Sequence, residues 1–155
     1  MKNYTLISII IFGFIGCSET KNSNILDSDN YNTKKERVEI LKNEIKYYSD
    51  FENAEFELFN VNGFSNSRTL VPGASSVDYK FVVQVNPSDI DKWTNEMNQI
   101  NPNTNDYNWM NKIIRERLND WKTESKPDYY SYEGGNILMV VYKSEGIIFK
   151  SFTNL

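Results

Sequence analysis

The run Ile137-Leu138-Met139-Val140-Val141 constrains the fold more than any other stretch of this chain. A strand that is apolar on both faces belongs in the middle of a sheet rather than at its rim. Ser144-Glu145-Gly146 separates the run's extension to Lys143 from a second apolar segment, Ile147 to Phe152. The pair reads as a hairpin. Two earlier segments follow the period of two. Val77, Tyr79, Phe81, Val83 and Val85 alternate with Asp78, Lys80, Val82, Gln84 and Asn86, the clearest strand of the chain. Ala54, Phe56 and Leu58 alternate with Glu55 and Glu57, which predicts a strand covered on one side with both glutamates in solvent.

Three stretches carry helical spacing instead. Thr33-Lys34-Lys35-Glu36 is a capping box, and Val38, Leu41, Ile45 and Tyr48 then form one apolar stripe, so a helix is expected to about Ser49. Asn86-Pro87 opens a second helix, with Asn86 as cap and Pro87 where no amide donor is needed. Its stripe is Ile90, Trp93, Met97 and Ile100, and Asn101-Pro102 closes it. A third helix, roughly Tyr107 to Lys122, is striped by Met110, Ile113, Ile114, Leu118 and Trp121. Lys126-Pro127 forbids its continuation.

The expected order is therefore α-β-β-α-α-β-β. It favours one α+β domain over 33–155, with an antiparallel sheet of about four strands and the three helices on one face. The long connection from Phe64 to Ser76, punctuated by Pro72-Gly73, is either a functional loop or a wandering edge. Residues 18–32 hold only Ile25, Leu26 and Tyr31 as apolar residues and read as a flexible tether, with ends on the order of 20 Å apart and ~50 Å when stretched.

The N-terminus has a different grammar. Lys2 precedes an apolar run from Leu6 to Ile15, the charged start and short hydrophobic core of an export signal. The run is about half the ~20 residues a spanning helix needs. Phe14-Ile15-Gly16-Cys17 then resembles the lipobox of bacterial lipoproteins. That resemblance implies a diacylglyceryl group on the Cys17 thiol, cleavage of residues 1–16 and acylation of the new amine. It implies a lipidated N-terminus over 17–32 and a cell-envelope address facing the periplasm or the cell exterior. Ser18 is compatible with passage onward to an outer membrane. More than one acyl chain holds a protein firmly where a single chain binds marginally.

Removing the first 16 of 155 residues leaves 139, enough for one ordinary domain with a real core. Cys17 is the only cysteine, so no disulfide can form within the chain and packing must supply stability. There is no histidine, which removes the commonest zinc ligand and the Ser-His and Cys-His arrangements; no metal or cofactor is expected. The net charge of −4 becomes −5 once Lys2 is gone, an acidic excess that argues against a nucleic-acid partner.

Few residues stand out as chemical groups. Glu55 with Glu57, and Asp89 with Asp91, have ordinary explanations as a solvent face and a helix start. Asp27-Ser28-Asp29-Asn30 lacks the glycine and closing glutamate of a calcium loop. Glu133-Gly134-Gly135-Asn136 lacks phosphate-loop spacing and reads as a turn. Tyr129, Tyr130 and Tyr132, outside any periodic element, together with Trp109 off its helix stripe, form the one candidate binding cluster. Such rings anchor interfaces or stack on sugars, and they equally well close the end of a sheet.

Two functions fit. The first is a membrane-anchored, non-enzymatic module that binds an envelope protein or glycan, with inhibitor or immunity-type lipoproteins as the narrower guess. The alternative is a hydrolase of envelope polysaccharide or peptide, using two convergent carboxylates of which burial keeps one protonated.

Overall fold

A computed structural model describes residues 23–64, 76–101 and 107–154. Cys17, the signal segment, most of the Phe64–Ser76 connection and Pro102 lie outside them. The described residues form one seven-stranded antiparallel sheet with three α-helices. The strands are β1 (Ile25–Asp27), β2 (Phe51–Asn60), β3 (Val77–Val85), β4 (Asn98–Ile100), β5 (Asp128–Ser131), β6 (Ile137–Tyr142) and β7 (Ile147–Asn154). The helices are α1 (Lys34–Glu44), α2 (Ile90–Thr94) and α3 (Asn108–Ile114). Spatial order across the sheet is β1-β2-β3-β7-β6-β5-β4.

The α+β class and the antiparallel sheet agree with the sequence reading, whereas four strands and the order α-β-β-α-α-β-β do not. Three short strands account for the difference. β1 lies inside the segment read as tether and pairs Ile25 with Phe59 and Asp27 with Glu57. Its pairing comes from the unfilled edge of β2, which no composition argument about residues 18–32 could register. β5, read as a non-periodic tyrosine segment, pairs Tyr129 with Val140 on β6 and Ile100 with Tyr129 on β4. β4 replaces the second half of the expected helix over 87–100. A 3-10 turn at Pro87–Asp89 and α2 are all that remains of that helix. Glu96 then takes a left-handed backbone at φ 67° and redirects the chain to the edge of β5.

The other helices also end early for identifiable reasons. α1 begins on the anticipated capping box, where Thr33 Oγ1 accepts from the Glu36 amide at 3.2 Å and Glu36 Oε2 accepts from the Thr33 amide at 3.0 Å. It stops at Glu44 because Tyr47 packs edge-on against Phe51 and Tyr48 against Trp93, contacts that need an extended backbone. α3 passes at Ile114 into a 3-10 segment, Arg115–Asp120, kinked at Arg117 (φ −137°, ψ 39°). The kink leaves Leu118, expected on the buried stripe, 56% exposed.

Helices cover both faces, correcting the one-face expectation. On one face Leu41, Ile90 and Trp93 pack over Phe56, Phe81, Val83, Met139 and Ile148. On the other, Met110, Ile113, Ile114 and Trp121 pack over Val82, Val140, Ile147 and Phe149. That second layer explains why β6 and β7 are apolar on consecutive residues. The hairpin between them is as anticipated, with register Val140↔Phe149 and Tyr142↔Ile147. Gly146 holds φ 67° in its turn, and a Cβ there would run into the Val85 carbonyl oxygen.

Candidate functional site

The sheet places the candidate aromatic residues apart. Tyr130 points into the first core and is 8% exposed. Tyr129 points to the opposite face, where its ring lies 5.5 Å from that of Tyr107. Trp109 packs edge-on against Phe149 at 6.2 Å. Only Tyr132, beyond the end of β5 and 46% exposed, presents its ring outward. Successive residues of a strand face opposite ways, so adjacent tyrosines in β5 do not share a patch.

Tyr132 instead borders a concave region that the sequence reading did not single out. A cavity of about 290 Å³ is lined by Ile45, Tyr48, Tyr79, Phe81, Ile137 and Phe152, with Glu44, Lys46 and Lys150 as its charged members. A second, of about 240 Å³, shares Tyr48, Ile137 and Lys150 and adds Tyr132, Trp93, Met97, Asn95 and Glu96. The two meet at Lys150, on the central strand β7. Alternation along β7 puts Ile148, Lys150 and Phe152 on the face of α1, so this lysine emerges at a position that extends the core row.

Lys150 is half-buried, and burial, with Lys46 adding to it, pushes its ammonium below the ordinary lysine range. Its Nζ lies 5.7 Å from the centre of the Tyr48 ring, and Lys46 Nζ lies 5.3 Å from the same ring. Among the described residues neither ammonium has a carboxylate within ion-pair distance. The signal in the sequence was a lysine inside an apolar strand of a hairpin that must be central. Its meaning depended on α1 ending early enough to leave space above it.

A second unexpected cluster sits on the edge of β2. Glu55, expected in solvent, is wholly buried (0% exposed), because the kinked segment after α3 covers that face. Arg117 Nη1 reaches its Oε2 at 2.8 Å, and Arg37 Nε lies 3.2 Å from its Oε1. Arg37, itself 1% exposed, also donates to the carbonyl oxygens of Ala54 at 3.0 Å and Tyr31 at 3.2 Å. It thereby serves backbone acceptors beyond the end of β1. Asp29 completes the cluster, at 2.9 Å from Arg115 and 3.4 Å from Arg117. Burial pushes the Glu55 carboxyl upward, opposed by the Ser28 hydroxyl and by both arginines. Each carboxylate here faces two arginines, and the cluster joins Asp29 in the turn after β1, α1, β2 and the segment after α3.

Among the described residues no group of His, Cys, Asp and Glu side chains could hold a metal ion. No helix among them is long and apolar enough to cross a membrane. Comparison with protein-family models, with curated proteins and with solved structures yields no match.

Proposed function

We propose that this protein is a lipid-anchored envelope lipoprotein whose domain is a non-enzymatic binding module, with the paired cavities around Lys150 as its binding site. The anchor rests on the resemblance of Phe14-Ile15-Gly16-Cys17 to a lipobox. The binding role rests on a single observation: apolar and aromatic walls converge on a lysine that has no carboxylate within ion-pair distance among the described residues, the composition of a ligand site. An inhibitor or immunity-type role remains the narrower form of this reading, with Tyr132 at the groove in place of the three-tyrosine patch. Hydrolysis by paired carboxylates is less well supported, because each of the two cavities is lined by one carboxylate, Glu44 or Glu96. Glu55, the buried carboxylate, is enclosed by arginines.

β1 also shortens the expected tether. Ile25 stands eight positions after Cys17, so a lipid on Cys17 would hold the sheet within about 28 Å of the acyl attachment. Two measurements test the reading. Cells expressing the full chain are expected to incorporate labelled fatty acid into the wild type and not into Cys17→Ala; equal labelling of both rejects the anchor. For the groove, the neutral probe 3-phenylpropan-1-ol is titrated into the full chain in nonionic detergent by calorimetry. Saturable binding that Ile137→Trp abolishes is expected. No saturable binding, or binding indifferent to that substitution, removes the groove from the reading.

A further inference from the structure

We infer that the groove selects a small amphiphile carrying one carboxylate on an aromatic or branched aliphatic body, the carboxylate seated between the Lys150 and Lys46 ammoniums. The inference rests on the reading of the groove as a ligand site and specifies its chemistry. Two like charges line the larger cavity and lie near one ring, Tyr48, at 5.7 and 5.3 Å, and neither has a carboxylate within ion-pair distance among the described residues. An anion placed between them replaces mutual repulsion by two attractions, and charge-assisted hydrogen bonds to it are strengthened by the partly desolvated site.

Size and wall chemistry limit the rest of the ligand. The larger cavity, about 290 Å³, holds the volume of about ten waters, which suits one ring or a branched chain and not a polymer. Tyr79, Phe81, Ile137 and Phe152 offer it apolar surface. The two carboxylates facing the groove set its polarity. Glu96 lines only the smaller cavity, so the ligand anion is disfavoured at that end. Glu44 lines the larger cavity but is engaged in an interaction of its own. Lys46 lines the larger cavity alone, which places the anion there.

The test compares three probes on the full chain by calorimetry: 3-phenylpropionate, its neutral analogue 3-phenylpropan-1-ol, and acetate. The propionate is expected to bind about tenfold more tightly than the alcohol, the ratio one charge-assisted hydrogen bond supports, and acetate not to bind measurably. Lys150→Met, which keeps the apolar stem, is expected to erase the preference for the acid, Lys150→Arg to retain most of it, and Lys46→Met to reduce it. Should Lys150→Met fail to fold, the wild-type ratio and Lys46→Met decide the question. Equal binding of acid and alcohol overturns the inference while leaving the groove a ligand site. A preference that survives Lys150→Met also overturns it, and absence of binding by both aromatic probes removes inference and site together.

Discussion

The sheet carries two sets of inward-lying cations, and they are opposites. At the edge of β2, Arg37 and Arg117 are met by Glu55, Asp29 and backbone carbonyls. On central β7, Lys150 sits beside the Tyr48 ring, and among the described residues no carboxylate lies within ion-pair distance of it. A buried charge removed from water costs several kcal/mol unless it is paired, so the first set is held in place by its own architecture. The second retains part of its hydration only because the space above it is open. Matched charges fasten segments together, whereas an unmatched one beside a cavity leaves attraction to offer a ligand.

The comparison is broken most severely at Glu55. Glu55→Gln leaves two guanidiniums without their main partner and is expected to lower unfolding free energy by about 3–5 kcal/mol, read from urea denaturation. The double variant Arg37→Met with Glu55→Leu should recover part of that loss. Recovery is expected to stop short by about 1–3 kcal/mol, because the Ala54 carbonyl loses its donor, while that of Tyr31 keeps Arg117. Full recovery would show that Arg37 is a counter-ion only.

Lys150→Met is expected to act in the other direction, raising stability by roughly 0.5–2 kcal/mol. Burial lowers the folded-state affinity of Lys150 for its proton below the ordinary value of 10.5. Its stability contribution is therefore full above pH 10.5 and lost as pH falls through the lower folded value. The charged lysine thus burdens the fold at neutral pH. The advantage of the methionine variant should shrink as pH rises toward 10.5, and thermal melts across that range check both sign and trend. An advantage constant with pH would indicate improved packing instead. Lys112→Met breaks a partly exposed pair with Glu57 and should change stability by less than about 1 kcal/mol in the same assay.

Glu145 lies outside both sets and shapes the acid side of the stability profile. In the β6–β7 turn it accepts from the amides of Glu124 and Ser125 at 2.8 Å each and from the Ser125 hydroxyl at 2.5 Å. These donors hold its carboxyl at about 2, below the ordinary 4.5. Its contribution is present above pH 4.5 and lost as pH falls toward 2. Glu145→Gln should flatten that part of the acid limb, and an unchanged limb would assign it to other carboxylates.

Elements whose cause is local were legible from residue order: the Thr33–Glu36 capping box, alternation over Val77–Val85, and the final hairpin. The rest depended on partners distant in sequence. Glu55 has the pattern of a solvent-facing residue and is buried because residues 115–120 lie over it, with Arg117 arriving from 62 positions away. Tyr129 and Tyr130 lacked periodicity because a four-residue strand is too short to display one. The lipid site proposed at Cys17 rests on resemblance alone and lies outside the described residues, while the groove at Lys150 was not anticipated. A lysine between Phe149 and Ser151 carries no mark of a cavity until α1 has ended at Glu44.

Both rims of the sheet are three-residue strands, β1 and β4, and Arg37 occupies part of the β2 edge that β1 leaves uncovered. Proteins confined to a surface meet their own copies more often than proteins free in three dimensions. A long bare rim would then invite strand-to-strand polymerisation. Short rims interrupt that growth after a few hydrogen bonds, so the fold would suit the membrane-anchored display proposed above, with recognition left to side chains rather than to the backbone.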